Sequence, residues 1–165
     1  MRTNNLYKYL CNTLSINEPA LSLILSQQAR RISYRKNEVI DSKGKIPMQL
    51  SFIEKGNALA LSRSKPSRQV MRFWSANDLI CPIGFFNNLP SAQSIIAMDD
   101  CEIIALSYRQ ILKFLTDFPT GYSIINSMLK AEIELVMLNI KSFEQNEMPQ
   151  QHEAFLQALA ISFDE

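Results

Sequence analysis

Between Asp78 and Asp99 the chain carries no charged side chain, in a stretch punctuated by Pro82, Gly84, Asn87, Asn88 and Pro90. Proline, glycine and asparagine punctuate it as a loop within a larger folded body, and strand-like residues flank it. The residues around it indicate what that body is. From Arg31 to Leu106 apolar residues alternate with polar or small ones: Met48, Leu50 and Phe52; Leu59 and Leu61; Met71 and Phe73. Alternation of this kind is the signature of half-buried strands. Turn signals recur at Lys43-Gly44, Gly56-Asn57, Lys65-Pro66, Asn77-Asp78, Asn87-Asn88 and Asp99-Asp100. Short strands with turns at that spacing predict an antiparallel sandwich or jelly roll.

Helical patterns flank the strands. Leu6, Tyr7 and Leu10 share one short apolar face. Asn17 before Glu18-Pro19 reads as an N-cap with proline in the first turn, and Leu21, Ile24, Leu25 and Gln28 continue at helical spacing. Beyond Leu106, Ile111, Phe114, Leu115 and Phe118 fit a short helix that Pro119 and Gly121 end. A long helix follows from Tyr122 to Glu144. In it Ile124, Met128, Ala131, Leu135 and Leu138 step by the 4-3 spacing of a coiled-coil seam. Ile125, Leu129, Ile133, Val136, Met137 and Ile140 spread around the rest of its circumference. A helix apolar on most sides needs more than one covering surface, which predicts a homodimer with the seam against a twofold mate. The expected organisation is a β-roll domain with N-terminal helices over 1–119, a dimerisation helix over 120–145, and an acidic tail with one short helix over 146–165.

Several segments, in order, resemble the cyclic-nucleotide-binding domains of the catabolite-activator and fumarate-nitrate-regulator (Crp/Fnr) family. Tyr34 to Ile40 is similar to the family's basic turn between its first two strands. Ser51 to Leu61 looks like its strand, glycine turn and next strand. Asn77-Asp78-Leu79-Ile80 stands where the family has Gly-Asp and two apolar residues, just before the phosphate-binding cassette. Pro90-Ser91 with Ile95, Ala97, Asp99, Asp100 and Glu102 is similar to a subgroup that writes Pro-Ser at the phosphate arginine. The resemblance covers about residues 5–145. It implies a mainly β fold with flanking helices: a double-stranded β-helix (jelly roll), then a long dimerisation helix that also approaches the ligand. It further implies a cytoplasmic role in signalling and transcription regulation, without enzymatic activity.

The same alignment puts the pocket at Ile80, Cys81, Pro82, Ile83, Gly84, Ser91 and Ala92. The family's Gly-Glu pair for the ribose falls on Cys81-Pro82, and its phosphate arginine on Ser91 or Ala92. Pro82 cannot accept a hydroxyl hydrogen bond and has no backbone N–H. Ser91 donates one hydrogen bond but neutralises no charge. A charge-assisted hydrogen bond contributes about 1.5–3 kcal/mol, and about 1.4 kcal/mol is a decade of affinity. Loss of both readers predicts cyclic AMP binding weaker by two decades or more. Arg72, alternating with Val70 and Trp74, is the candidate substitute anion reader. A cyclic nucleotide is therefore a doubtful cofactor, and three readings stay open: a pocket retuned for a less anionic effector, a cassette kept as scaffold for protein interaction, and weak nucleotide binding through other groups.

Other chemistries find little support. The single histidine, His152, lies in the acidic tail, which removes Ser–His and Cys–His pairs and the histidine cluster of a metal-dependent cupin. Cys11, Cys81 and Cys101 are scattered, too few for an iron–sulfur cluster, and read as reduced cytoplasmic thiols. Met1 to Cys11 shows no signal-peptide pattern and no apolar run reaches the length of a membrane span. A near-balanced charge of +1 and a tail from residue 142 on without Lys or Arg argue against direct DNA binding, which draws on cationic contacts to phosphate. A regulator acting through DNA remains the alternative that the family resemblance implies.

Overall fold

The computed structural model describes residues 4–64, 67–82 and 84–144. The expected tail helix, His152, Ile83 and the Lys65-Pro66 turn lie outside them. Two four-stranded antiparallel sheets form the body. One has the order β1 (Arg30–Tyr34), β8 (Cys101–Ser107), β3 (Gln49–Lys55), β6 (Leu79–Ile80); the other has β2 (Val39–Asp41), β7 (Ser94–Ala97), β4 (Ala58–Ser64), β5 (Ser67–Trp74). Helices α1 (Asn5–Lys8), α2 (Pro19–Gln28), α3 (Tyr108–Asp117) and α4 (Tyr122–Glu144) flank them. The expected jelly-roll architecture with flanking helices is what the chain adopts.

The pairing of β3 with β8 explains why the first sheet reads as nearly continuous apolar sequence. Phe52 opposes Ile104 and Leu50 opposes Leu106, and these four join the helix-covered core with Leu6, Leu10, Leu25, Phe114 and Ile124. Ser51 and Ile53 point the other way, opposite Ala105 and Ile103, into the space between the sheets. A sheet buried on both faces loses the polar half of its alternation. Met48, read as the first residue of that alternation, is instead exposed.

Helix ends are set by local chemistry. Ser107 caps α3: its hydroxyl accepts from the Gln110 backbone N–H while Gln110 Oε1 accepts from the Ser107 N–H at 2.8 Å, a reciprocal capping box. The Gln110 amide also donates to the Gln28 carbonyl, joining α3 to the end of α2. At α2 the cap is Glu18 rather than Asn17, without a side-chain bond, and Pro19 fills the first helical position. The missing N–H of proline costs nothing there, so this helix starts on proline geometry.

The chain divides into two compact units, residues 1–132 and 133–165, with the boundary inside α4. Ile124, Ile125 and Met128 belong to the core of the first unit. Two members of the expected dimer seam, Ile124 and Met128, are therefore core residues of the protomer. Among the described residues no helix is long and apolar enough to cross a membrane.

Candidate functional site

β4 and β5 build one wall of the site. Ala58 opposes Trp74 and Ala60 opposes Arg72, and a bulge between Ala60 and Leu61 brings Leu61 opposite Val70. Arg72 and Trp74 are two residues apart on one strand, so both project to the same face. The two alanines opposite them supply almost no volume, which leaves room for two of the largest side chains in the protein. Trp74 packs with Ile53, Ala58, Ala60, Ile80 and Ile95. The Arg72 guanidinium carbon lies 4.7 Å from the centroid of its ring, a cation–π stack that holds the guanidinium in place.

α4 supplies the opposing group. Glu132 stands one turn beyond Met128, so it continues the stripe that buries Ile124, Ile125 and Met128. Its Oε1 accepts from Arg72 Nη1 at 2.6 Å, with side chains only 12% and 9% exposed. Four atoms of this cluster are buried without a hydrogen-bond partner: Arg72 Nε, Arg72 Nη2, Trp74 Nε1 and Glu132 Oε2. Burial pushes the Glu132 carboxyl above its ordinary value, while the Arg72 charge and the adjacent Cys81 backbone amide hold it back.

The cassette begins against this pair. Asn77 adopts φ +75°, the left-handed conformation that glycine usually supplies, and Asp78 Oδ2 accepts from the Ser75 N–H at 2.8 Å. Ile53 clamps the turn, donating to the Asp78 carbonyl at 3.0 Å and accepting from the Asn77 N–H at 2.8 Å. Cys81 then emerges beside Arg72 and Glu132. Burial, reinforced by the negative charge of Glu132, pushes its thiol up to about 12. It is a neutral thiol at physiological pH, unsuited to nucleophilic chemistry. Tyr9 feels the same field, and its phenol is pushed up to about 12 by burial and by Glu132 and Asp78.

Gly84 has φ +98°, and a Cβ there would fall 2.2 Å from the Leu89 carbonyl oxygen. The loop folds back over it, with the Leu89 N–H donating to the Gly84 carbonyl at 3.1 Å. Phe85 is core, edge-on to Phe86 and Tyr108, whereas Phe86 reaches the surface. Ser91 is buried, donates to the Gln93 carbonyl at 2.8 Å, and faces the Asp41 carboxyl, which burial raises above its ordinary value. An acid beside Ser91 makes this a poor seat for an anion. Ala92 is exposed, Pro82 is buried, and Ile80 is core between the sheets.

Of the residues singled out in sequence, Arg72 and Cys81 come together around Glu132. Ser91 keeps different company, with Asp41 and Gln93. Glu132 was missed. In the helical pattern of α4 a glutamate followed two residues on by Glu134 looks like a solvent-facing residue, and the signal against it was its place one turn after Met128. Among the described residues no cluster of His, Cys, Asp and Glu could hold a metal ion.

Comparisons with known proteins agree with this fold. The family model for the cyclic nucleotide-binding domain matches residues 31–118, more than half of the chain. A cyclic nucleotide-binding domain from Methylobacillus flagellatus superposes with a TM-score of 0.72 at 13% identity, covering 88% of this chain and 83% of that one. The catabolite activator protein of Thermus thermophilus gives 0.64 at 14% identity, over 82% of this chain and 62% of that one; the chain thus spans under two thirds of its length. The c-di-GMP-responsive global regulator CLP of Xanthomonas campestris gives 0.65 at 11% identity, over 86% and 70%. No curated protein matches. At these identities the superpositions speak for the fold, and the sequence match decides the family: this chain belongs to the cyclic nucleotide-binding domain family.

Proposed function

We propose that this protein is a non-enzymatic, homodimeric ligand-sensing regulatory domain whose effector is not read by the chemistry of a standard cyclic AMP pocket. The observation that carries the reading is the Arg72–Glu132 pair: the best-placed cation is already neutralised from within the chain. Ser91 faces the acid Asp41, and Pro82 has neither an acceptor side chain nor an N–H to offer a ribose. Each cassette position that recognises a cyclic nucleotide in the family is therefore silent or opposed here. The Thermus and Xanthomonas proteins are named as an activator and a global regulator, which supports a regulatory role by analogy.

Dimerisation is supported by an exposed apolar face of α4, where Ile133 is 62% and Met137 52% exposed, with Val136 beside them. That face also suits the alternative of a protein-interaction module, with the cassette kept as scaffold. A thermal-shift screen with cyclic nucleotides and a metabolite panel separates the two, because a ligand specific to the native state raises its apparent stability. Stabilisation by an effector that titrates saturably is expected. Cyclic AMP binding at low-micromolar affinity or tighter overturns the proposal.

A further inference from the structure

The uncharged cassette reaches the surface without the charges a solvated loop carries. Phe86 to Pro90 are all exposed, Leu89 to 55%, and none of them is ionisable. Two other segments join this surface. The Ser91 N–H donates to the Lys45 carbonyl and the Gly44 N–H to the Ser91 carbonyl, both at 2.8 Å. The loop with exposed Ile46 and Met48 therefore runs beside the end of the cassette. The Tyr108 N–H donates to the Met48 carbonyl at 3.1 Å, and Phe85 packs edge-on against both Phe86 and Tyr108. These contacts bring in the start of α3, where exposed Leu112 follows Tyr108 by one turn. Single exposed apolar residues are ordinary, but large ones gathered from three segments mark an interaction surface.

Charge indicates what that surface meets. Residues 42–49, 79–98 and 108–116 carry Lys43, Lys45, Arg109 and Lys113 and no Asp or Glu. All four cations are exposed. Asp117 holds Lys113 at 2.8 Å, and Asp41, beside Ser91, is half-buried. Lys43, Lys45 and Arg109 thus surround an apolar centre with charge of one sign. Lysine is depleted from protein–protein interfaces. An anionic lipid surface suits the arrangement better: apolar side chains enter the boundary between headgroups and acyl chains, and long cationic side chains stay at the headgroups.

We infer that the patch of Ile46, Met48, Phe86, Leu89 and Leu112 seats the protein on an anionic lipid surface, with Lys43, Lys45 and Arg109 at the lipid phosphates. Lying on a bilayer needs no spanning helix. The seat is built wholly within the first compact unit. It asks nothing of the effector pocket, so it goes beyond the sensing role and is tested apart from it.

Flotation of the full chain with vesicles tests this. The protein should float with vesicles of equal parts phosphatidylcholine and phosphatidylglycerol and not with phosphatidylcholine alone, and added salt should release it. Lys45→Gln should weaken binding about fivefold, the share of one cation near the surface. Met48→Ser with Leu89→Ser should weaken it at least about tenfold by removing apolar area. Lys36→Gln makes the same charge change at the β1–β2 turn, where Asn37 bonds Ala97, at the far end of β7 from Ser94 and its neighbour Lys43; it should bind like the wild type. Phe86→Trp, a conservative exposed change, should shift its emission to the blue on anionic vesicles. The wild-type comparison needs no variant, so a misfolded variant leaves the test intact. Absence of flotation with anionic vesicles overturns the inference and leaves a protein partner as the cover of this patch. Equal flotation with neutral vesicles overturns it, as does an equal loss in Lys36→Gln and Lys45→Gln, which would mean adhesion through overall charge. Full binding by the double serine variant, or unshifted Trp emission, overturns the apolar part of the seat and with it the inference.

Discussion

Arg72 on β5 and Glu132 on α4 are sixty residues apart and meet at 2.6 Å, the one described ion pair with both side chains buried. The Arg31–Glu54 pair has its arginine 71% exposed and the Lys113–Asp117 pair is more open still, so each contributes little. The buried pair ties a strand of the sandwich to the base of the long helix. An interaction of this kind is weak evidence for net stability, because desolvation offsets the attraction, but breaking it from one side strands a charge.

Truncating either partner alone should therefore be severe. Glu132→Ala leaves Arg72 buried and uncompensated and is expected to lower unfolding free energy by about 3–5 kcal/mol. The double variant Arg72→Met with Glu132→Leu should recover most of that loss. Urea unfolding of the singles Arg72→Met and Glu132→Leu and of the double closes the cycle. Additive losses would mean that the two side chains act independently.

The thiols predict a loss of stability in base. Burial raises Cys81 from 9.0 to about 12, with Glu132 adding to the effect, and burial followed by Asp99 raises Cys101 to about 11. In the unfolded chain both ionise near 9, so above that pH the native state holds protons that the unfolded state has lost. Stability then falls as pH rises. The urea midpoint should drop between about pH 8.5 and 10.5, and Cys81→Ala should flatten the slope. At neutral pH both thiols should resist iodoacetamide in the native state, as peptide mass spectrometry would report.

A tight corner joins the β3–β4 turn to the β7–β8 turn. Asp99 accepts from the Asn57 N–H at 2.6 Å and from its side-chain amide at 2.7 Å, while the Cys101 thiol donates to the Asn57 carbonyl at 3.1 Å. Gly56 has φ +92°, and a Cβ there would lie 2.7 Å from both the Asp100 carbonyl and Asp99 Oδ1. Gly56→Ala is expected to cost about 1–3 kcal/mol from backbone strain alone, read as a lower denaturant midpoint. Asp99→Ala should cost about the same by removing a charge-assisted bond. An unchanged midpoint in Gly56→Ala would show that the corner can relax.

Much of the fold was legible because its signals are local. Gly56-Asn57 and Asn77-Asp78 mark turns whose positive φ only glycine or asparagine tolerates well, and they fall where the structure turns. Ser107 with Gln110 sets a helix start by contacts three residues apart. The site was legible only in part, because its chemistry is non-local. Arg72 could be suspected from its alternation with Trp74, but its partner comes from another element, and charge on a helix carries no mark of burial. The long helix is ambiguous in sequence for a related reason. A 4-3 spacing describes a stripe without saying what covers it, and the first turns of that stripe face the protomer's own sheet.

That distinction gives the last prediction, on α4. Ile124 and Met128 are 0% and 1% exposed, so Met128→Ala should cost about 2–5 kcal/mol of protomer stability through the cavity it leaves. Ile133, Val136 and Met137 are exposed apolar residues on the same helix, within reach of one another at three- and four-residue spacing. If this face meets its twofold mate, Ile133→Glu with Met137→Glu sets like charges together on an apolar interface. Light scattering at micromolar concentration should then report a dimer for the wild type and a monomer for the double variant, with the thermal midpoint of the sandwich kept. A wild type that stays monomeric at high concentration would sink dimerisation. A double variant that remains dimeric would move the interface to the seam of Ala131, Leu135 and Leu138, where Leu135→Glu is the next substitution to make.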